Sequence, residues 1–435
     1  MRVGDFLEID FLLLFAALVL IVLGVLFIYS SGITSEGILI SNEYQKQIVW
    51  AAAGLIMALT ISVLNYRRIY DLTAYFYLGT LFLLLVTFIF GRVVHGTRWL
   101  RIGSFGIQAS EFSKISTILF LAWYLDNTKR DRKALSRFAV SCGIVTVPIL
   151  MVLLQPDLGT ALVFIPILLG MTFIAGASVK HIAFFGLSIA LAILLTVLPF
   201  WQTSIMHNII PALMILTNMR FMAGGCLTLF LIALIAGFGY LRFKQSYFYW
   251  ICYGAMILIF SLGASFMAQK VLKQYQIMRL IVFMDPNVDP RGSGWQIIQS
   301  VTAIGSGGVF GKGYLQGTQS HYRYLPEQST DFIFSILAEE WGFFGGIFVF
   351  AMFLIICLRL IRIMRITTDA FGSYVVAGIV SIYAFHFFVN VGMAMGIMPI
   401  TGIPLMFVSY GGSALLSSMI GIGLALSVHV RRFTH

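Results

Sequence analysis

Charged side chains are scarce in this sequence: Asp, Glu, Lys and Arg together make up 10% of its 435 residues, against about a quarter in an ordinary soluble domain. A chain so poor in charge cannot cover itself with a polar surface, which excludes a water-soluble globular fold. Carboxylates are the rarer sign, 17 Asp and Glu against 28 Lys and Arg. Cysteine is sparse too. Cys142, Cys226, Cys252 and Cys357 lie far apart inside apolar runs, where they read as small buried hydrophobes rather than as a disulfide framework or a thiolate metal site. The seven histidines show no ligand spacing, so no intrinsic metal centre is legible. Solenoid repeats, low-complexity tracts and linkers are missing as well, and a single membrane domain over 1–435 is the economical organisation.

What the sequence has instead is apolar length. Hydrophobic residues make up 60% of the chain and mean hydropathy is +0.95. Runs close to the ~20 residues needed to cross a ~30 Å hydrocarbon core occur at 11–30, 47–64, 74–91, 112–125, 138–154, 160–176, 181–200, 221–241, 247–267, 343–361, 372–396 and 413–430. They predict an all-α integral membrane protein, a polytopic bundle of about 12 (10–12) transmembrane helices. The segment before the first run holds Asp5, Glu8 and Asp10 instead of the basic start of a secretory signal, so that run is expected to persist as a span.

Orientation follows from the basic residues. With the N-terminus in the cytoplasm and alternating spans, the inner loops receive Arg67, Arg68, the Lys129–Arg137 cluster, Lys180, Arg242, Lys244, Arg359, Arg362, Arg365, Arg431 and Arg432. Together with Arg2 this is 16 of the 28 Lys and Arg, as the positive-inside rule requires, and both termini come out cytoplasmic. The net charge of +11 therefore reads as topology signals plus contact with anionic membrane lipids, not as nucleic-acid binding. The other basic residues and ten of the 17 acidic ones gather on the opposite side, chiefly in 92–114 and in a long stretch at 268–342. A polar insertion of that length between spans is where function usually lives.

Five constellations there could carry chemistry. The first runs from Gly96-Thr97-Arg98-Trp99 to Glu111 and Lys114; the latter two share a helix face at i,i+3 and can pair. An interfacial ion pair with a Trp anchor is the bland account, yet ionised groups within spans usually face a polar cavity. The second is Gln155-Pro156-Asp157-Leu158-Gly159-Thr160, where Asp157 can cap the next helix or stand at the cavity mouth. The third is Asp285-Pro286-Asn287-Val288-Asp289-Pro290-Arg291-Gly292-Ser293-Gly294-Trp295-Gln296, followed by the glycine-rich run Gly305–Gly313 with Lys312. Turn chemistry explains its prolines and glycines. The run is no Walker A loop, although its amides could approach a phosphate. In the fourth, Glu327, Asp331, Glu339 and Glu340 crowd the approach to a span, and Thr330 and Asp331 as helix caps account for part of it. The fifth is a Gly/Pro-broken segment from Pro399 through Pro404 to Ser413, a backbone that survives at membrane depth only when buried in protein or lining a cavity.

Together these motifs resemble the SEDS family (shape, elongation, division and sporulation) of membrane peptidoglycan polymerases. The resemblance covers nearly the whole chain and is strongest over 285–342, where D-P-x-x-D-P-x-G-x-G-W-Q, the glycine run, L-P-E-x-x-T-D-F-I-F and A-E-E-x-G follow in order. Gly317-Thr318-Gln319-Ser320-His321 is similar to the elongation branch rather than the division branch. One departure is the span count: the family generally has ten, and the surplus falls near 201–270.

The resemblance implies a glycosyltransferase that joins lipid II units into β-1,4 glycan strands and releases undecaprenyl pyrophosphate. It places the catalytic carboxylate, a general base, at Asp289. Arg98, Lys114 and Lys312 become candidates for neutralising the pyrophosphate, with Glu111 and Asp157 orienting Lys114 or holding a divalent cation, Mg²⁺ or Mn²⁺. The implied partner is a class B penicillin-binding protein, a transpeptidase. Two other readings compete: a lipid II flippase, since broken spans and intramembrane charges also suit transporters, and a catalytically silent scaffold. The one-sided polar apparatus and the lack of an inverted repeat favour the enzyme.

Overall fold

The computed structural model describes residues 10–94, 97–102, 105–129, 134–202, 205, 213–272 and 274–432. Every apolar run folds into an α-helix, as expected where no water is available to pair backbone groups. The helices are α1 (Phe11–Ser31), α2 (Glu43–Val63), α3 (Tyr66–Phe90), α4 (Ala109–Asn127), α5 (Ala134–Leu154), α6 (Leu158–Ile174), α7 (Val179–Trp201), α8 (Met219–Phe243) and α9 (Ser246–Val271). After a more polar interval with α10 (Gln274–Met284) and α11 (Ser293–Gly307) come α12 (Ile333–Ile366), α13 (Ala370–Ala394) and α14 (Gly412–Val430). Among the described residues, ten helices are long and apolar enough to cross a membrane. The two further runs are α4, which carries Glu111, Lys114 and Asp126, and α6, of 17 residues. Hydropathy counts apolar runs without asking whether they face lipid, and both of these helices are largely buried in protein.

The stretch 268–342, expected to be a long polar loop, is interrupted by several short helices. α10 is amphipathic, a 3₁₀ turn spans Pro286–Val288, and α12 starts ten residues before its apolar run and kinks at Gly342 (φ 65°). The all-α expectation also needs one local amendment. Between α3 and α4 lies a three-stranded antiparallel sheet, β1 (Arg92–Val94), β2 (Thr97–Ile102) and β3 (Phe105–Ile107), with Val93 opposite Arg98 and Leu100 opposite Ile107. Thr97, Trp99 and Ile102 are of residue types enriched in strands.

Residue contacts divide the chain into two compact units, Met1–Gly176 with Gln296–His435, and Ala177–Trp295. In the first, α2 packs along α14, α6 against α13, and α1 along α12, around a core that includes Leu20, Phe27, Phe164, Phe353, Tyr383, Phe407 and Met419. Its helix ends sort into two sets. At one end Tyr66 Oη donates to Asp369 Oδ2 (3.0 Å), Arg359 Nε to Asp10 Oδ2 (2.9 Å) and Ser427 Oγ to the Leu64 carbonyl (2.6 Å). At the other, Gln328 Nε2 donates to the Ser31 carbonyl (2.7 Å) and Gln108 N to Ser413 Oγ (3.0 Å). That is the alternation read from the basic loops. The second unit holds α7 to α10 and includes the surplus helix pair; α8 and α9 form a hairpin that turns at Lys244, whose φ of 51° is left-handed.

Candidate active site

The first constellation closes on itself at the start of α4. Lys114 Nζ lies 2.9 Å from Glu111 Oε1, and both residues are sealed inside the first unit, 1% and 3% exposed. Glu111 Oε2 accepts from Ser417 Oγ of α14 (3.1 Å). One turn earlier, Gln108 Nε2 donates to Asp157 Oδ2 (2.9 Å). Asp157 does cap α6, accepting from Thr160 N (3.0 Å) and Thr160 Oγ1 (2.8 Å). Burial holds its carboxyl above the ordinary range, opposed by the two Thr160 hydrogen bonds and by Lys114, while Glu111 adds to the rise. Capping and membership of a charged cluster are therefore both true of Asp157.

Two side chains of α13 that the sequence reading passed over complete this cluster. His386 Nε2 is 3.3 Å from Lys114 Nζ, and its Nδ1 is 2.9 Å from the Pro404 carbonyl. A carbonyl only accepts, so Nδ1 carries the proton and Nε2 offers its lone pair to the ammonium. One turn on, Asn390 Nδ2 donates to the carbonyls of Ile403 (2.9 Å) and Asp331 (2.8 Å). Both residues thus clamp the segment 399–411, which is non-helical and, from Ile403 to Ser409, buried apart from half-buried Pro404. Gln47 joins them, donating to the Ser409 carbonyl (3.1 Å) and accepting from Gly411 N (3.3 Å). Nothing in the sequence marks His386: a lone histidine on an apolar helix carries no spacing signal.

A second cluster lies where α12 begins. Glu339 and Glu340 are fully buried. Glu339 Oε1 accepts from Lys312 Nζ (2.7 Å), Thr318 N (2.9 Å), Thr318 Oγ1 (2.9 Å) and Gln319 N (3.1 Å). Glu340 Oε2 accepts from Leu315 N (3.1 Å), and its Oε1 from Ser30 Oγ. The glycine run is explained by packing. A Cβ on Gly307 would strike the Ala338 carbonyl, one on Gly311 the Glu340 carbonyl, and one on Gly342 the Gly311 amide. Its amides serve the chain itself: Lys312 N and Gly313 N donate to the Glu339 and Glu340 carbonyls (3.0 Å each). The expected caps Thr330 and Asp331 do not cap α12, whose N-cap is Phe332.

Asp289 belongs to the second unit. It ends the 3₁₀ turn, is half-buried, and its Oδ2 accepts from Ser293 N (2.9 Å), leaving Oδ1 without a hydrogen bond among the described residues. A Cβ on Gly294 would strike the Pro286 and Asp289 carbonyls, so the turn requires that glycine, whereas one on Gly292 would only push the Asp289 carboxylate from its present position. Asp285 accepts from Asn287 N (3.0 Å). Arg98 sits on β2 opposite Val93; its side chain lies outside the described residues. The structure thus joins Glu111, Lys114 and Asp157, and joins Lys312 to Glu339 instead of to them. A resident divalent cation does not suit these donors. The oxygens of Glu111 and Asp157 already accept from protein donors, and among the described residues no three His, Cys, Asp or Glu side chains converge.

These features define a polytopic helical membrane protein with charge clusters gathered at one end of its first unit. The family model described as Cell cycle protein, that of FtsW, RodA and SpoVE, matches residues 10–214 and 209–433, and the chain belongs to that family. Peptidoglycan glycosyltransferase RodA of Treponema pallidum (strain Nichols) is 47% identical over 433 residues, covering 99% of this chain and 100% of its own. Stage V sporulation protein E of Bacillus subtilis (strain 168) is 31% identical, with 96% of each chain covered. Among solved structures, a chain of a peptidoglycan synthase complex that coordinates polymerization and crosslinking superposes with a TM-score of 0.66 at 25% identity, over 98% of this chain and 99% of that one. The family is the one its motifs resemble, and the chain is a multi-pass protein of the bacterial cytoplasmic membrane.

Proposed function

We propose that this protein is a peptidoglycan glycosyltransferase of cell elongation, polymerising lipid II into β-1,4 glycan strands at the outer face of the membrane. The observation that carries this reading is the whole-length likeness to the Treponema enzyme. In the reaction the acceptor hydroxyl loses its proton as its oxygen bonds to the anomeric carbon of the donor sugar. The bond from that carbon to the pyrophosphate breaks, and undecaprenyl pyrophosphate leaves with the electron pair. Asp289, with one carboxylate oxygen held by Ser293 N and the other without a hydrogen bond among the described residues, is the proposed general base. Arg98 and Lys114 are the proposed cations for the leaving group. Glu111 and His386 take two of the three N–H donors of Lys114 and fix where the third points; Asp157 holds Gln108 beside them. Lys312, bonded to Glu339 and Thr318 and a quarter exposed, acts with its Glu339 partner. The proposed partner is a penicillin-binding transpeptidase, as the synthase-complex relative suggests.

Reconstitution with labelled lipid II, with and without such a transpeptidase, tests this. Wild type should yield glycan polymer, and Asp289→Asn should be slower by about 10²–10⁴-fold. Transbilayer movement of lipid II without polymer would instead make the protein a carrier.

A further inference from the structure

We propose that the second unit carries a headgroup site for an anionic phospholipid, formed by the start of α7 and the α8–α9 turn. From Leu158 to Met284 the sequence contains no Asp or Glu, yet it contains Lys180, Arg220, Arg242, Lys244, Lys270, Lys273 and Arg279. Three of these cations meet at one end. Lys180 Nζ stands 4.9 Å over the Tyr249 ring and 5.7 Å from that of Trp250, and Tyr253 Oη donates to the Lys180 carbonyl (2.6 Å). This places the start of α7 beside the first turns of α9. Arg242 lies in the last turn of α8, and Lys244 is its left-handed cap. All three are exposed. The two carboxylates of the unit, Asp285 and Asp289, follow α10, which packs on Val197 towards the opposite end of α7. No counter-ion in this unit therefore faces the three cations.

Two helices also begin here, and neither has a side-chain cap: Ser178 before α7 and Gln245 before α9 make no capping hydrogen bond. Their amides and dipoles favour an anion. A phospholipid fits better than a free anion because the same end is amphipathic. Tyr240, Tyr247 and Trp250 are exposed beside the cations, and Phe238 (71%) and Leu241 (77%) continue the apolar face along α8. Tyr and Trp rings prefer the headgroup level. A topology signal needs only the number of charges, whereas here the ammonium of Lys180 is stacked and two helix starts are left open to an acceptor.

The test is native mass spectrometry and thermal unfolding of the purified full-length protein, with phosphatidylglycerol, phosphatidylcholine, inorganic phosphate or poly-L-glutamate added. Phosphatidylglycerol alone should be retained and raise the melting temperature. Lys180→Gln/Arg242→Gln/Lys244→Gln should weaken its retention by about a hundredfold, each basic residue contributing about fivefold. The opposite-end control Arg220→Gln/Lys270→Gln and the charge-conserving Lys180→Arg/Arg242→Lys/Lys244→Arg should keep it. Equal loss in the opposite-end control, or undiminished retention in the triple Gln variant, overturns the site. An equal shift with phosphatidylcholine or inorganic phosphate overturns the anionic-lipid assignment, and one with poly-L-glutamate would point to an acidic protein partner instead.

Discussion

Lys114 is surrounded by protein, and its ammonium is matched by one carboxylate and one imidazole nitrogen. Removing one member of such a buried pair strands the other, which costs about 3–5 kcal/mol. Glu111→Ala should therefore lower the unfolding temperature in detergent markedly. Glu111→Leu combined with Lys114→Met should recover most of that loss while leaving glycan synthesis abolished. Recovery of activity along with stability would take Lys114 out of the chemistry. His386 divides the two roles further. His386→Leu leaves the Pro404 carbonyl and one ammonium donor unmatched, at about 1–3 kcal/mol apiece. His386→Gln can still donate to one and accept from the other. Polymer formation should fall about ten- to hundredfold in the Leu variant, as the loss of one such bond implies, and be restored in part by Gln at matched protein stability. Equal rates in the two variants would reduce His386 to packing.

At the scale of elements, the glycine run makes a matched comparison possible. Gly311 has φ 81°, and a Cβ there meets the Glu340 carbonyl; Gly305 lies inside α11 with open space around its Cβ position. Gly311→Ala adds a left-handed residue, costing about 1–2 kcal/mol, to a clash with backbone that cannot swing aside. Gly305→Ala should be neutral or stabilise by up to about 1 kcal/mol. Thermal unfolding of the two variants side by side decides whether the run serves packing; equal effects would return it to phosphate binding. The sequence announced the membrane helices well because each is an apolar run bounded by charge or by a turn. It hid the start of α12 because Glu339 and Glu340 look like loop residues until Lys312, Ser30 and the amides of 315–319 are seen to satisfy them. The pairing of Glu111 with Lys114 was legible from i,i+3 spacing, and so was the cap at Asp157. The partnership of Lys312 with Glu339 and of His386 with Lys114 spans 27 and 272 residues, a separation that local spacing does not encode.

For the molecule as a whole, the contacts of the first unit fix which helix ends share a face but not which face meets the cytoplasm; that rests on the basic loops. The end with Tyr66, Asp369, Arg359 and Arg431 is the expected inner one, and the end with Gln108, Asp157 and Lys312 the outer one. In a background with Cys142, Cys226, Cys252 and Cys357 replaced by Ala, single cysteines at exposed positions read this directly. Glu36→Cys, beyond α1, should react with an impermeant maleimide on intact cells. Thr368→Cys, between α12 and α13, should react only after permeabilisation. The reverse pattern would turn the protein over and remove the outer-face polymerase. Gln245→Cys, exposed in the α8–α9 turn, adds the second unit to the same measurement. If α7, α8 and α9 each cross the membrane, position 245 lies on the side of Thr368 and is shielded in intact cells. Labelling there from outside would mean that this turn, the start of α7 packed against it and the lipid site proposed between them all face the outer leaflet.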